Sequence, residues 1–430
     1  MNSRKINVIT LGCSKNLVDS EVLMKQIEAQ GIEVIHDAHD SDAGTIVINT
    51  CGFIQDAKQE SIDTILEYIK KKEEGRLKSV FVMGCLSQRY KSELEKEIPE
   101  VDQYFGVNDI RQVISRLGGD LKKELLGERK LTTPSHYAYL KISEGCDRKC
   151  SFCAIPLIRG KQQSKSIEGL VRETELLVEG GVKELILIAQ DLTAYGTDLY
   201  GKRELPRLLD ALARVPGLPW IRLHYAYPAA FPEDILYQIR DYDNICKYID
   251  IPFQHISDKV LSNMHRGITR NETLKLLDKI RTTIPGTAIR TTLLTGHPGE
   301  GEEEFSELKD FVQTARFERL GVFSYSEEED TWGAANLKDE IPDEVKLARL
   351  EELMQIQQSI SHTINEERVG DTLEVIVDRK EGDYFIGRTE FDSPEVDNEV
   401  LIETKKALVS GEFIDVTFTR AEPFDLYGKA

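Results

Sequence analysis

Six of the seven cysteines fall into two sets of three, and each set restricts the fold in its own way. Cys146, Cys150 and Cys153 are spaced CxxxCxxC, so one short loop can wrap a single centre. Three thiolates at that spacing suit a cubane [4Fe-4S] cluster, because soft sulfur ligands favour iron. A four-iron cube takes four ligands, so three cysteines leave one iron open to bind a small molecule, which points to an enzyme. Cys13, Cys51 and Cys85 are separated by 38 and 34 residues. Only a fold that brings three distant segments to one edge can unite them.

The sequence around this second set indicates such a fold. Each of its cysteines closes an apolar run of β type: Ile6–Leu11, Thr45–Asn49 and Ser79–Met83. Helical stretches lie between them, such as Asp19–Gln30 and Glu60–Lys72. Continuous apolar strands alternating with helices imply a parallel sheet in an α/β layer fold. Ligands of such sheets sit beyond the carboxyl ends of the strands, where all three cysteines fall, each beside a glycine. Residues 1–125 are therefore expected to form an α/β domain holding a second, auxiliary cluster. The competing reading is structural zinc, but zinc sites usually close with four protein ligands and each triplet supplies three.

A chain of 430 residues has room for about three domains. Residues 132–362 contain six β-type runs: Tyr137–Ile142, Glu184–Ala189, Trp220–His224, Tyr248–Ile251, Ala288–Leu294 and Leu320–Ser324. Helical segments such as Ile167–Glu179 and Asn271–Thr283 separate them, which suggests a partial (βα)6 barrel of parallel strands. The CxxxCxxC loop follows the first strand, and the chemistry of βα barrels sits on such loops. A helix over Pro342–Glu367 leads into residues 364–430, where the pattern changes to period-two alternation. Thr372–Asp378, Tyr384–Glu390, Asn398–Glu403 and Glu412–Arg420 read as strands of a small antiparallel β-barrel.

Charge narrows the partners. The net charge is -20, and from residue 365 onward 8 basic residues face 17 acidic ones, a balance of -9. Small β-barrels often bind nucleic acid, but this one has no basic stripe. Tyr384, Phe385, Phe391 and Phe413 are therefore read as core, and nucleic acid is not the expected substrate. An acidic surface attracts a basic protein instead. No run of 18 apolar residues exists to cross a membrane, and the N-terminus reads as a first strand rather than an export signal. The expected location is the reducing cytoplasm, where cysteines are ligands or free thiols.

The CxxxCxFC segment, with Phe152 before the last cysteine, resembles the radical S-adenosylmethionine superfamily. The upstream triplet and terminal barrel resemble its methylthiotransferase branch, whose members carry a TRAM domain at the end. Leu11-Gly-Cys-Ser-Lys-Asn-Leu-Val-Asp-Ser-Glu21, His136-Tyr-Ala-Tyr-Leu-Lys-Ile-Ser-Glu-Gly-Cys146 and Asp250-Ile-Pro-Phe-Gln-His-Ile-Ser-Asp258 narrow the likeness to the RimO-type enzymes. The tRNA-modifying sister group, the MiaB type acting on isopentenyladenosine, typically has Gln-Met-Asn where this chain has Ser14-Lys15-Asn16. It is the alternative reading.

The resemblance implies two [4Fe-4S] clusters and S-adenosylmethionine, used to add a methylthio group to the β-carbon of an aspartate. The substrate would be the small-subunit ribosomal protein numbered twelve, which is basic. The electron donor would be a protein such as flavodoxin or ferredoxin. The metal ligands would be Cys13, Cys51, Cys85, Cys146, Cys150 and Cys153. Phe152, Gln190, Asp191, Gly296 and Glu300 would lie at the S-adenosylmethionine site, and no catalytic residue is assigned beyond the cluster ligands. Arg148, Lys149, Arg159 and Lys161 crowd the cluster loop, and each is read individually as a solvated cation. His224, His255 and Cys246 are read as structural.

Overall fold

The computed structural model describes residues 5–39, 41–125 and 127–430. The first sheet has the order β2-β1-β3-β4-β5 and is parallel throughout. Its strands are β1 (Lys5–Thr10), β2 (Glu33–His36), β3 (Thr45–Thr50), β4 (Ser79–Gly84) and β5 (Gln103–Tyr104). Its helices are α1 (Ser14–Glu28), α2 (Gln55–Glu73), α3 (Cys85–Glu97) and α4 (Ile110–Arg116). The central strands bury apolar residues on both faces, as a sheet covered by helices on two sides must. Val8, Val47 and Phe81 pack with Leu23, Met24 and Ile27 of α1 on one face, while Ile46, Ile48 and Val82 pack with Ile65 and Ile69 of α2 on the other.

The sheet has two strands more than the three expected. β2 is a short edge strand and β5 has two residues, too little for an apolar run to register. The helices also start earlier than expected, α1 at Ser14 rather than Asp19 and α2 at Gln55 rather than Glu60. Their opening residues, Ser14–Asn16 and Gln55–Asp56, are polar and add nothing to the apolar period.

The second unit contains all six expected strands: β6 (Tyr137–Lys141), β9 (Glu184–Ile188), β10 (Trp220–Leu223), β11 (Tyr248–Asp250), β12 (Ala288–Thr295) and β13 (Arg319–Ser324). A two-stranded ribbon, β7 (Ser143–Glu144) with β8 (Gln163–Ser164), flanks the cysteine loop, and α5 (Ile155–Arg159) follows it. The six strands pair in parallel and in sequence order, with a bridge between Ile221 and Ile245 linking the two halves. Their outward side chains, such as Leu140, Leu187, Ile249 and Leu293, build the largest core, beneath the surrounding helices.

The long helix Asp343–Glu367 leads to a closed barrel of β14 (Thr372–Glu381), β15 (Tyr384–Arg388), β16 (Glu399–Glu403), β17 (Phe413–Ala421) and β18 (Asp425–Lys429). The small barrel is as expected, with one strand more than the four runs seen in the sequence. β18 is the fifth strand, weak in sequence because glycine interrupts its alternation, and it closes the barrel by pairing in parallel with β16. The other four seams are antiparallel. Phe413 packs edge-on against Trp220 at 5.0 Å, and Phe391 joins the same cluster with Cys246 and Tyr248.

The 389–398 loop between β15 and β16 enters the larger barrel from the amino-terminal ends of its strands. Arg222, fully buried, donates to Glu184 and to the Glu390 carbonyl, both at 2.7 Å. Tyr248 donates to Asp397 at 2.7 Å, Tyr137 donates to Glu395 at 3.0 Å, and Arg319 is paired with Asp392. His224 reaches Ser393 Oγ at 2.9 Å. Buried charges need partners, and here each domain supplies them to the other.

Candidate active site where two cysteine triplets meet

β1, β3 and β4 are neighbours in register, Thr10 beside Asn49 and Thr50 beside Gly84, so the residues after them emerge at one edge. Gly12 has φ +89, and a Cβ built there would lie 2.7 Å from Cys51 Cβ and 2.9 Å from its Sγ. The turn therefore requires glycine to bring the Cys13 segment against Cys51. Asn16 ties the loops together, donating to the Leu11 carbonyl at 2.8 Å and the Thr50 carbonyl at 3.1 Å. Cys13 is the N-cap of α1, and Cys85 is the first residue of α3. Helix N-termini favour anions, so these positions suit thiolates. Burial pushes the Cys51 thiol up, and the Cys85 thiol up to about 12 despite the nearby Arg159 charge. Thiols held this high ionise when a metal takes the proton's place.

The second triplet lies on the loop after β6. Ser151 anchors it, donating from its backbone to the Met264 carbonyl at 3.0 Å and accepting from Gly333 at 2.7 Å. Cys146 Sγ accepts the Arg148 backbone N–H at 3.4 Å, and Cys150 Sγ faces Arg266 Nη1 at 3.3 Å and the Tyr227 hydroxyl at 3.7 Å. The Tyr227 ring has the Arg148 guanidinium at 4.0 Å and that of Arg266 at 4.4 Å. Burial raises Cys146 to about 11 and Cys153 to about 12.

The two triplets are adjacent. Ala154 and Ile158, just after Cys153, pack in one cluster with Cys85 and Val107. From the end of α5, Arg159 donates to Asn16 Oδ1 at 2.5 Å, to Glu144 at 2.8 Å and to Asp19 at 3.2 Å, and its Nη2 lies 3.4 Å from Cys85 Sγ. Arg159 is only 3 % exposed, which corrects the expectation of a solvated cation. Its partners in α1 and α3 are distant in sequence, so local composition gave no sign of them. Lys149 and Lys161 are exposed. Lys141 also pairs with Asp19 and, at 2.6 Å, with Glu144. Burial alone would raise the Glu144 carboxyl, but the Lys141 and Arg159 charges hold it down at about 2.

The residues expected near S-adenosylmethionine differ in how far their polar groups are engaged. Gln190 donates to Glu144 at 2.6 Å, while its Oε1 is buried without a hydrogen-bond partner, an acceptor suited to an ammonium group. Asp191 takes Arg148 at 2.7 Å on one oxygen and caps Thr193 with the other. Glu300 is buried between Arg349 at 2.8 Å and His255 at 3.2 Å. Gly296 has φ +75 and lies against Lys346, where a Cβ would come within 2.2 Å of its Cγ. Phe152 packs with Val260, Met264, Leu294 and Tyr325, its ring 6.1 Å from that of His297. Tyr227, on the loop after β10, and Arg266, between the helices Asp258–Asn263 and Arg270–Thr283, carried no local signal in the sequence. His224 and Cys246 are buried, the latter beside Trp220 and Tyr248.

Among the described residues, no group of three or more His, Cys, Asp or Glu side chains is arranged to hold a single metal ion. A cube of irons and sulfides spaces its thiolates more widely than one ion does. The donor set, three thiols at each of two adjacent sites with cations close to the sulfurs, fits two such clusters.

Three family models match this chain: "Uncharacterized protein family UPF0004" over residues 5–106, "Radical SAM superfamily" over 140–312 and "TRAM domain" over 369–430. It is 58% identical over 430 residues to the ribosomal protein uS12 methylthiotransferase RimO of Flavobacterium psychrophilum, covering 100% of this chain and 98% of that protein. The enzyme of the same name from Bacteroides thetaiotaomicron is 56% identical, with 100% and 99% covered. In fold, the chain is similar to the radical S-adenosylmethionine methyltransferase TsrM of Kitasatospora setae, solved with cobalamin and a [4Fe-4S] cluster. That likeness has a TM-score of 0.56 at 14% identity and covers 95% of this chain and 84% of the other. With its full length matched at such identity, the chain belongs to the RimO family of methylthiotransferases within the radical S-adenosylmethionine superfamily.

Proposed function

We propose that this protein adds a methylthio group to the β-carbon of an aspartate in the ribosomal protein uS12, using S-adenosylmethionine and two [4Fe-4S] clusters. The carrying observation is the adjacency of the two triplet-bearing segments, with Ala154 and Ile158 against Cys85 and Arg159 bridging to it. Turning C–H into C–S–CH3 needs a hydrogen abstractor and a sulfur donor at one substrate carbon, so their sites must adjoin. When bound, the cluster on Cys146, Cys150 and Cys153 with S-adenosylmethionine supplies the abstractor, and the cluster on Cys13, Cys51 and Cys85 supplies the sulfur.

The chain's own part is to bind, orient and exclude water. Gln190 Oε1 is free to accept from the methionine ammonium. Arg266 and Tyr227 bring positive charge and a hydroxyl to Cys150. The Lys141–Asp19–Glu144–Arg159 network braces the two sites at a fixed separation. The acidic terminal barrel suits a basic ribosomal protein. No described helix is long and apolar enough to cross a membrane. The reading includes a cytoplasmic setting and a flavodoxin- or ferredoxin-like electron donor.

The test is anaerobic reconstitution, then incubation with S-adenosylmethionine, reductant and either uS12 or tRNA, followed by mass measurement. The expected result is a gain of one methylthio group on the uS12 aspartate. Gain on tRNA alone, or a protein carrying zinc and no labile sulfide, overturns the reading.

A further inference from the structure

Lys15 is the second residue of α1 and 8 % exposed. Its ammonium lies 3.1 Å from the centroid of the Tyr225 ring, on the loop that follows β10. Among the described residues it has no carboxylate within ion-pairing distance. The other cations of this neighbourhood are satisfied: Arg290 by Asp250 at 3.1 Å and Asp397 at 3.3 Å, Arg222 by Glu184 at 2.7 Å. The protein thus holds one excess positive charge between the auxiliary triplet and the mouth of the barrel. Burying a charge without a counter-ion is costly, and a ring face returns only about 2 kcal/mol. Tyr225 itself has φ +65, a strained conformation fixed by the Asp250 carboxylate, which takes its backbone N–H at 3.0 Å. Lys15 lies two residues beyond Cys13, and the strained tyrosine that holds it lies on the loop after β10, so this contact joins the auxiliary segment to the barrel.

We propose that Lys15 binds the side-chain carboxylate of the substrate aspartate. This rests on the function proposed above and names the residue that selects the substrate. The carboxylate is bonded directly to the β-carbon, so gripping it places the reacting carbon one bond from a fixed point. A neutral or cationic side chain at the substrate position would leave Lys15 unpaired and is expected to bind less well. The methionine carboxylate of S-adenosylmethionine has the same chemistry. Lys15 follows Cys13, however, whereas the cations beside the Cys146–Cys153 loop are Arg148 and Arg266.

The test uses reconstituted holoenzyme with Lys15→Met, which keeps the length and apolar stem against Tyr225, and with Lys15→Arg, which keeps the charge. Binding is measured to S-adenosylmethionine, to uS12, and to uS12 whose target aspartate is replaced by asparagine; iron content reports folding. Lys15→Met is expected to weaken uS12 binding by about 10- to 100-fold, the loss typical of a charge-assisted bond. It should leave the affinity for S-adenosylmethionine and for the asparagine form of uS12 unchanged, and Lys15→Arg should restore part of the loss. Equal weakening for both forms of uS12 overturns the inference and leaves Lys15 a structural strap. Weakened cofactor binding with uS12 binding intact overturns it in favour of the methionine carboxylate. Wild-type enzyme that never modifies uS12 overturns this inference together with the functional reading, whereas modification by wild type with no change in Lys15→Met overturns this inference alone.

Discussion

Arg159 and Cys85 lie 74 residues apart and in different domains, yet the guanidinium Nη2 of one stands 3.4 Å from the Sγ of the other. Hydrogen bonds and positive charge at a cluster sulfur favour the reduced state. Arg159→Gln is expected to lower the potential of the auxiliary cluster while leaving that of the other cluster nearly unchanged. It also strips a partner from Asp19 and Glu144, a loss of about 3–5 kcal/mol for a broken buried pair. Potentiometric titration followed by electron paramagnetic resonance and a thermal melt check both; an unmoved auxiliary potential refutes the first.

The proposed function assigns the two triplets separable tasks. Cys150→Ala should abolish cleavage of S-adenosylmethionine. Cys51→Ala should keep cleavage measurable, abolish methylthiolated product and lose about half of the iron of a two-cluster protein. Quantifying 5′-deoxyadenosine, product mass and iron together is decisive, since equal loss of cleavage in both folded variants contradicts the division.

Gly12→Ala tests the close approach of the first two cysteine segments. The added methyl meets Cys51 at under 3 Å and the backbone sits at φ +89, so strain of about 1–3 kcal/mol is expected. The readout is iron content and the visible spectrum: auxiliary cluster occupancy falls while the Cys146, Cys150 and Cys153 site still loads. Normal occupancy of both sites contradicts the packing.

His224 should make the docking of the terminal barrel sensitive to acid. Burial, then the charges of Arg290, Arg222 and Lys15, hold its pKa well below the ordinary value of 6.5. A histidine kept neutral in the fold contributes stability above its unfolded pKa. That contribution is lost as pH falls below about 6.5, at up to about 1.4 kcal/mol per pH unit. Chemical denaturation at pH 7.5, 6.5 and 5.5 should show the decline, and His224→Asn should flatten it. Identical slopes in the two proteins would exclude His224 as the source.

What the sequence displayed was whatever repeats locally. Runs such as Thr45–Asn49 announce a buried parallel strand because both faces are apolar, and a cysteine at the end of each of three such runs marks the sheet edge. Short elements escaped: Glu33–His36, Gln103–Tyr104 and Asp425–Lys429 take their strand character from the neighbours they pair with. The site shows the same division. The six thiols are legible as spacing, but Arg159 looked solvated because Asn16, Asp19 and Cys85 reach it only through the fold. Arg266 and Tyr227, likewise, meet Cys150 from loops over 75 residues away.

The 389–398 loop has a consequence for how this architecture can diverge. Because Glu390, Asp392 and Asp397 answer Arg222, Arg319 and Arg290 from below, the terminal module serves as the stopper of the reaction vessel as well as an appendage. A chain truncated ahead of it would open a charged hole under its own chemistry. Descendants wanting a new client can repaint the outward wall of that module, but they must inherit its plug.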